Sequence, residues 1–382
     1  MDFRSRLDRA RQVMRERGIG VMFLTYGANL WYLTGFHRRR QEVTDSNTYG
    51  DYVSGAYVGA DDDIVLVAPR MGGATYQQEA ARKPWISELR ILDESENPKN
   101  VLTEVLDRFR IGDKGISLDD RAWSHTSLLL KEKMPRSRVS IASEIIAPMR
   151  MIKDADEVAA MQRAGRVTDE VFREIVEYLR KGITEYEVAA EIDYQFARRG
   201  SEYPSFNTGI RFAQPGKPSA TGAARITSRR LEENDGITFD FGTCLEGYCS
   251  DFGRTVFVGD PPAEFRRIHA LVMEAQAAGI EKMVSGMMTA QQLDRVSRGI
   301  IEKAGYGTGF THRLGHGIGV TVHEPPFLYK PDDTLLVSGM TFTVEPSIRL
   351  PEGYGCRVED VVMVTEKGGV PFSNYSKELT LI

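Results

Sequence analysis

Two stretches of this chain, 237–258 (ITFDFGTCLEGYCSDFGRTVFV) and 341–365 (TFTVEPSIRLPEGYGCRVEDVVMVT), read as β-hairpins that each carry an acid on both strands. Runs of β-branched and aromatic residues flank Leu-Glu-Gly in the first and Pro-Glu-Gly-Tyr-Gly in the second. Facing positions in an antiparallel hairpin are equidistant from the turn. A turn centred between Leu245 and Glu246 therefore sets Asp240 opposite Asp251, and one centred on Glu352 sets Glu345 opposite Glu359. Opposed side chains have Cβ atoms roughly 5 Å apart, where like charges in a partly buried sheet repel strongly. Four such carboxylates need either a cation or raised pKa values to stay together, and divalent metal is the economical answer.

One imidazole completes the donor set. In the segment FTHRLGHGIG, glycines on both sides of His316 permit close approach of backbone to the site. Any single histidine is more often structural. Here His312, His316 and His323 crowd into one segment of a chain that holds 6 in all, which shifts the reading toward function. His316 is the expected ligand, and His312 and His323 are expected to position substrate or orient water beside the metal. Oxygen donors with one imidazole suit Mn²⁺, Co²⁺, Fe²⁺ or Zn²⁺, and donor softness alone does not choose among them. A pair of such ions activates water and polarises a carbonyl, the chemistry that cleaves amides. Glu345 is the expected proton shuttle. Arg357 shares the strand face of Glu359 and would hold that carboxylate ionised, unless it is an ordinary ion pair.

The C-terminal part also repeats itself. Thr184-x-x-Glu187 and Thr289-x-x-Gln292 are helix-capping boxes, and the helices they open stop at Gly200 and before Gly305. Starts and stops share one spacing of 105 residues, which also carries Asp240 onto Glu345. An internal duplication would place a site between its two halves.

With 382 residues, two or three domains are expected. The first part alternates helices and strands: a Met1 to Arg17 helix, then Ile19 to Tyr26, Ile64 to Ala68, a Val101 to Phe109 helix and Gly115 to Leu118. The segment from Ile145 to Glu157 is expected to be extended at Pro148 and then to enter a helix, which marks the boundary. A net charge of −5 without a basic stripe disfavours nucleic acid, and the run Arg38-Arg39-Arg40 reads as a solvated loop. The N-terminal helix mixes six arginines with Phe3, Leu7, Ala10 and Met14, so it lacks the apolar core of a signal peptide. No stretch is apolar enough to span a membrane, and a cytoplasmic protein is expected. Cys244, Cys249 and Cys356 lack the spacing of a disulfide framework or a zinc knuckle and read as buried small apolar residues.

Asp-Phe-Gly, Ser-Asp-Phe-Gly-Arg-Thr, Gly-His-Gly-Ile-Gly, His-Glu-Pro-Pro, Val-Glu-Pro and Arg-Val-Glu-Asp together resemble the pita-bread metallopeptidases. That group includes methionine aminopeptidase, prolidase, aminopeptidase P and the non-peptidase creatinase. Asn-Leu-Trp-Tyr-Leu-Thr-Gly-Phe from Asn29 is similar to the N-terminal domain of the creatinase and prolidase branch. The resemblance implies an N-terminal creatinase-like α/β domain over 1–150 and a catalytic pita-bread α+β domain with a pseudo-two-fold repeat over 151–382. It implies two divalent ions, Mn²⁺ first, with Asp240 and Asp251 on one, His316 and Glu345 on the other, and Asp251 and Glu359 bridging. It further implies hydrolysis of small amides, Xaa-Pro dipeptides foremost, and a homodimer whose N-terminal loop lines the partner's site. In the N-terminal half, His37 or the run Arg38 to Arg40 is expected to reach the partner's active site and help hold a substrate carboxylate. Prolidase-like members carry a histidine about where Ala223 falls, and none lies between His125 and His269. The alternative is therefore a metal-dependent enzyme on a non-peptide small molecule, such as an osmolyte lyase or amidohydrolase. A retired enzyme fold used for protein binding is a third reading, and the intact ligand positions speak against it.

Overall fold

The computed structural model describes residues 1–38, 49–61, 63–217, 226–351 and 353–382. The chain divides into two compact units, Met1–Met149 and Arg150–Ile382. The first is built on a six-stranded sheet in the order Glu88–Leu92, Ile64–Pro69, Gly55–Gly59, Ile19–Leu24, Gly115–Leu118 and Val139–Ile141. Its central pairings are antiparallel and its flanking ones parallel. Strands Ile19–Leu24 and Ile64–Pro69 are buried along their whole length, so their sequences run apolar without alternation. Helix Phe3–Glu16 buries Leu7, Ala10 and Met14 on one face.

The expectation of extended backbone at Pro148 is overturned. Ser143–Met151 is a helix with Pro148 inside it. Ile145 and Ile146 are both buried there, and at about 1.5 to 3 kcal/mol each their burial outweighs the roughly 3 kcal/mol that an interior proline costs.

The second unit is made twice over. Helices Ala155–Tyr178 and Glu185–Arg198 precede strands Gly209–Ala213, Gly236–Phe241 and Phe252–Phe257. Helices Ala263–Lys282 and Ala290–Lys303 precede Gly315–Gly317, Thr341–Val344 and Asp360–Thr365. Both capping boxes form: Glu187 N donates to Thr184 Oγ1 at 3.1 Å and Gln292 N to Thr289 Oγ1 at 3.3 Å, each worth about 1 kcal/mol. Two isolated bridges, Thr184 with Arg230 and Thr289 with Leu335, recur at the same 105-residue spacing. The duplication read from caps and acids is thus present in the backbone pairing as well. Each half has its own apolar core, one around Phe172, Phe196, Phe239 and Phe241, the other around Phe265, Val272, Phe342 and Val344. Among the described residues no helix is long and apolar enough to cross a membrane.

Candidate metal centre

Register decides which side chains meet. The first hairpin pairs Asp240 with Gly253 and Phe241 with Phe252, and continues as Cys244 with Cys249 and Leu245 with Tyr248. Asp240 and Asp251 are therefore not directly opposed, which corrects the expectation by two residues. The cause is the turn. Glu246 and Gly247 have φ of 50° and 79°, the left-handed pair whose twist suits a two-residue hairpin, and that turn is centred one position later than expected. A slip of one would have sent one acid into the core, whereas a slip of two keeps both on the same face. Asp251 stands diagonal to Asp240.

In the second hairpin the expected register is found. Val344 pairs with Asp360 and Ser347 with Arg357, which frames Glu345 opposite Glu359; Glu352, its expected centre, lies outside the described residues. Between these pairs the backbone of Glu359 turns to the other hairpin. Gly253 N donates to Glu359 O at 3.3 Å and Glu359 N to Gly253 O at 2.9 Å. Asp240, Gly253 and Glu359 thus form one row across the seam between the half-sheets. A Cβ on Gly253 would come 2.8 Å from both Glu359 Oε2 and Arg357 Cδ, so the missing side chain is what leaves room for the carboxylate.

Ligand atoms of Asp251, His316 and Glu359, all buried, lie within 4.8 Å of one another. His316 Nε2 is 3.6 Å from Asp251 Oδ2 and 3.4 Å from Glu345 Oε1. His316 Nδ1 lies 3.1 Å from Gly317 O. A carbonyl only accepts, so Nδ1 carries the proton and Nε2 turns its lone pair to the acids. Burial, then the His323 imidazole, keeps the His316 pKa well below the ordinary range. Arg357 joins the remaining acids: Nη1 is 2.7 Å from Asp240 Oδ2 and 3.4 Å from Glu359 Oε2, and Nη2 is 3.4 Å from Glu345 Oε2.

This one guanidinium does not balance the charge. Burial, then Asp251 and Glu345, push the Glu359 carboxyl well above its ordinary pKa. Burial raises Glu345 to about 7, with Arg357 opposing and Asp240 adding. Four crowded carboxyl groups and a neutral imidazole presenting Nε2 fit a borderline or hard divalent ion, and the three buried cysteines form no disulfide.

The flanking histidines fall beside this group. His323 stacks edge-on to His316 with ring centroids 4.0 Å apart. His312 Nδ1 is 4.0 Å from Glu345 Oε2 and 2.7 Å from Arg313 O, and its Nε2 is 2.5 Å from Ser347 Oγ. Burial and then Arg357 hold His312 neutral, with a pKa of about 3. In the first unit His37 Nδ1 pairs with Glu79 Oε2, its ring set against Tyr26, Phe36 and Tyr76, and Arg38 lies over Trp31 at 5.0 Å. Arg39, Arg40 and Ala223 lie outside the described residues.

Sequence reading missed two supports. Glu324, of the His-Glu-Pro-Pro segment, is buried between Arg150 and Lys153, with Lys153 Nζ at 2.7 Å. Burial would raise its pKa, yet the two cations hold it below the usual range. Arg254, of Ser-Asp-Phe-Gly-Arg-Thr, alternates with the site-facing positions and sits fully buried on the opposite face. Strand parity alone placed it there, but nothing in the sequence showed which strands it would join.

With this geometry in view, comparison with known proteins is specific. A model of metallopeptidase family M24 matches residues 159–366, and one of the Creatinase/Prolidase N-terminal domain matches residues 6–152. The chain is 32% identical over 380 residues to an Xaa-Pro dipeptidase of Lactobacillus helveticus, covering 98% of each. It is 30% identical over 377 residues to an Xaa-Pro dipeptidase of Pyrococcus furiosus, covering 98% of this chain and 99% of the relative. Among solved structures, recombinant prolidase from Thermococcus sibiricus superposes with a TM-score of 0.89 at 29% identity over 100% of both chains.

Proposed function

Because the chain belongs to metallopeptidase family M24, we propose that it is a metal-dependent hydrolase of the Xaa-Pro dipeptidase type. The observation that carries this reading is the meeting of Asp251, His316 and Glu359, with Glu345 and Asp240 beside them, around the gap left by Gly253. Asp240 and Asp251 would hold one divalent ion, His316 and Glu345 the other, with Asp251 and Glu359 shared. Mn²⁺ is the first candidate, then Co²⁺, Zn²⁺ or Fe²⁺. Ions bound there lower the pKa of water and polarise the scissile carbonyl.

The chain's own groups supply the rest. Glu345, buried beside His316 Nε2 and Arg357, would take a proton from attacking water and pass it to the leaving nitrogen of proline. Arg357 keeps Asp240, Glu345 and Glu359 from repelling one another apart. His312, neutral and held through Nδ1 to a backbone carbonyl, faces Glu345 as a positioning group, and His323 walls the site beside His316. The reading of a non-peptide substrate rested on Ala223, and relatives that are Xaa-Pro dipeptidases weigh against it.

Residues 1–150 serve on this reading as the N-terminal domain and 151–382 as the catalytic one. A cytoplasmic homodimer in which Arg38 of the N-terminal loop meets a substrate carboxylate in the partner's site belongs to the same proposal, and an unchanged KM in Arg38→Ala would remove that contact. The decisive assay is proline release from a panel of Xaa-Pro dipeptides with Mn²⁺ or Co²⁺. Turnover is expected with at least one metal, and no release with any of them would contradict the function.

A further inference from the structure

We propose that Arg254 is a positioning residue for the metal centre, locking the strand of Asp251 to the strand of Glu359 from the face opposite the ligands. The proposal deepens the metal reading above and rests on it. Among the described residues, strand Phe252–Phe257 meets the chain entering strand Asp360–Thr365 through one backbone bridge, the pair Gly253 and Glu359. A single pair of backbone hydrogen bonds contributes only about 1 kcal/mol each, too little to hold two ligand-bearing strands against mutual repulsion of their acids.

Side chains take over where the ladder is missing. Arg254 Nη1 donates to Glu359 O at 2.7 Å and to Gly253 O at 2.8 Å, so one nitrogen caps both carbonyls of the bridge. Nη2 donates to Asp360 Oδ1 at 2.7 Å and Tyr375 O at 3.1 Å, and Nε to Ser376 O at 3.0 Å. The guanidinium lies over Phe252 at 4.3 Å. Thr255 extends the seam: its Oγ1 donates to Arg357 O and accepts from Arg357 N, both at 2.9 Å. Asp360 passes the brace onward. Its Oδ2 accepts from Gln276 Nε2 at 3.1 Å, and the same amide donates to Val344 O at 3.1 Å, the residue before Glu345. One buried network therefore fixes the backbone of Glu359 and the approach to Glu345.

Lysine cannot replace this fork, because a single ammonium cannot span two carbonyls and a carboxylate in one plane. Metal sites need ligand atoms within a few tenths of an ångström, so a relaxed seam should weaken metal binding before it unfolds the protein. The control is Arg229, whose guanidinium grips buried Asp235 at 2.8 and 2.6 Å before the start of strand Gly236–Phe241.

The test is calorimetric titration of the full chain with Mn²⁺ alone, alongside kcat, KM and thermal unfolding of the metal-free protein. Arg254→Lys is expected to weaken Mn²⁺ binding roughly 10- to 100-fold and to lower kcat with KM for the dipeptide little changed. Arg229→Lys is expected to lower the melting temperature while Mn²⁺ affinity stays that of the wild type. Should Arg254→Lys fail to fold, Gln276→Met reads the same network and is expected to weaken Mn²⁺ binding roughly tenfold. Wild-type Mn²⁺ affinity in the folded brace variants, or an equal loss in Arg229→Lys, overturns the proposal. Because Mn²⁺ binding is read without substrate, a chain that shows these shifts yet releases no proline sinks the Xaa-Pro reading and leaves the brace standing. A wild type that binds no Mn²⁺ overturns both.

Discussion

In the first hairpin Asp240 and Asp251 stand diagonal across a two-residue turn, whereas in the second Glu345 and Glu359 stand opposite each other. The site tolerates this difference because a strand presents every second residue on one face, so parity, not register, brings an acid to the metal side. The backs of the two half-sheets differ as well. Behind the first lies an aromatic cluster of Phe172, Phe239, Phe241 and Phe252. Behind the second the polar pair Gln276 and Asp360 is buried. Both half-sheets rest on apolar cores, and the seam between them is fastened by the polar contacts of Arg254, Asp360 and Gln276.

The largest break should come from the acids themselves, and unequally. Glu359→Gln removes the carboxylate that lies on the seam and is expected to cut kcat/KM at least roughly a thousand-fold, about 4 kcal/mol. Asp240→Asn, at the more exposed edge beside Arg357, should cost less, and equal losses in a dipeptide assay would mean that the two hairpins contribute alike. Gly253→Ala comes next. Its added Cβ meets Glu359 Oε2 and Arg357 Cδ, so Mn²⁺ affinity should fall and stability drop by about 1 to 3 kcal/mol. Unchanged Mn²⁺ titration would show that the seam is looser than its geometry.

Gly247→Ala probes the turn at φ 79°. About 1 kcal/mol of stability should be lost in denaturant unfolding, with Mn²⁺ affinity unaltered, since parity is unchanged. A loss of metal would show that register matters after all. The smallest effect distinguishes the helices behind the two half-sheets. His269 of the second is buried where the 105-residue spacing puts Ala164 in the first. Burial, then the charge of Arg254, lowers its pKa to about 4. The unfolded chain therefore takes up this proton first as pH falls, and the contribution present above pH 6.5 is lost between about 6.5 and 4. His269→Gln should flatten that part of the stability profile, and an unaltered slope would contradict the assignment.

Much of this was legible in the residues. Capping boxes and acids at one spacing announced the duplication, because caps act locally and the fold repeats them. The second hairpin register followed from its turn residues. The first did not, since only backbone φ values at Glu246 and Gly247 show which two residues make the turn. Pro148 misled because the burial of Ile145 and Ile146 is a tertiary effect. Arg254 and Glu324 escaped notice for a related reason: their partners lie more than a hundred residues away.

Diffraction from crystals soaked in Mn²⁺, recorded near the manganese absorption edge, tests the central claim most directly. Two anomalous peaks are expected, each about 2.2 Å from carboxylate oxygens or His316 Nε2, among Asp240, Asp251, His316, Glu345 and Glu359. Peaks elsewhere, or none at a concentration that supports proline release, would contradict it.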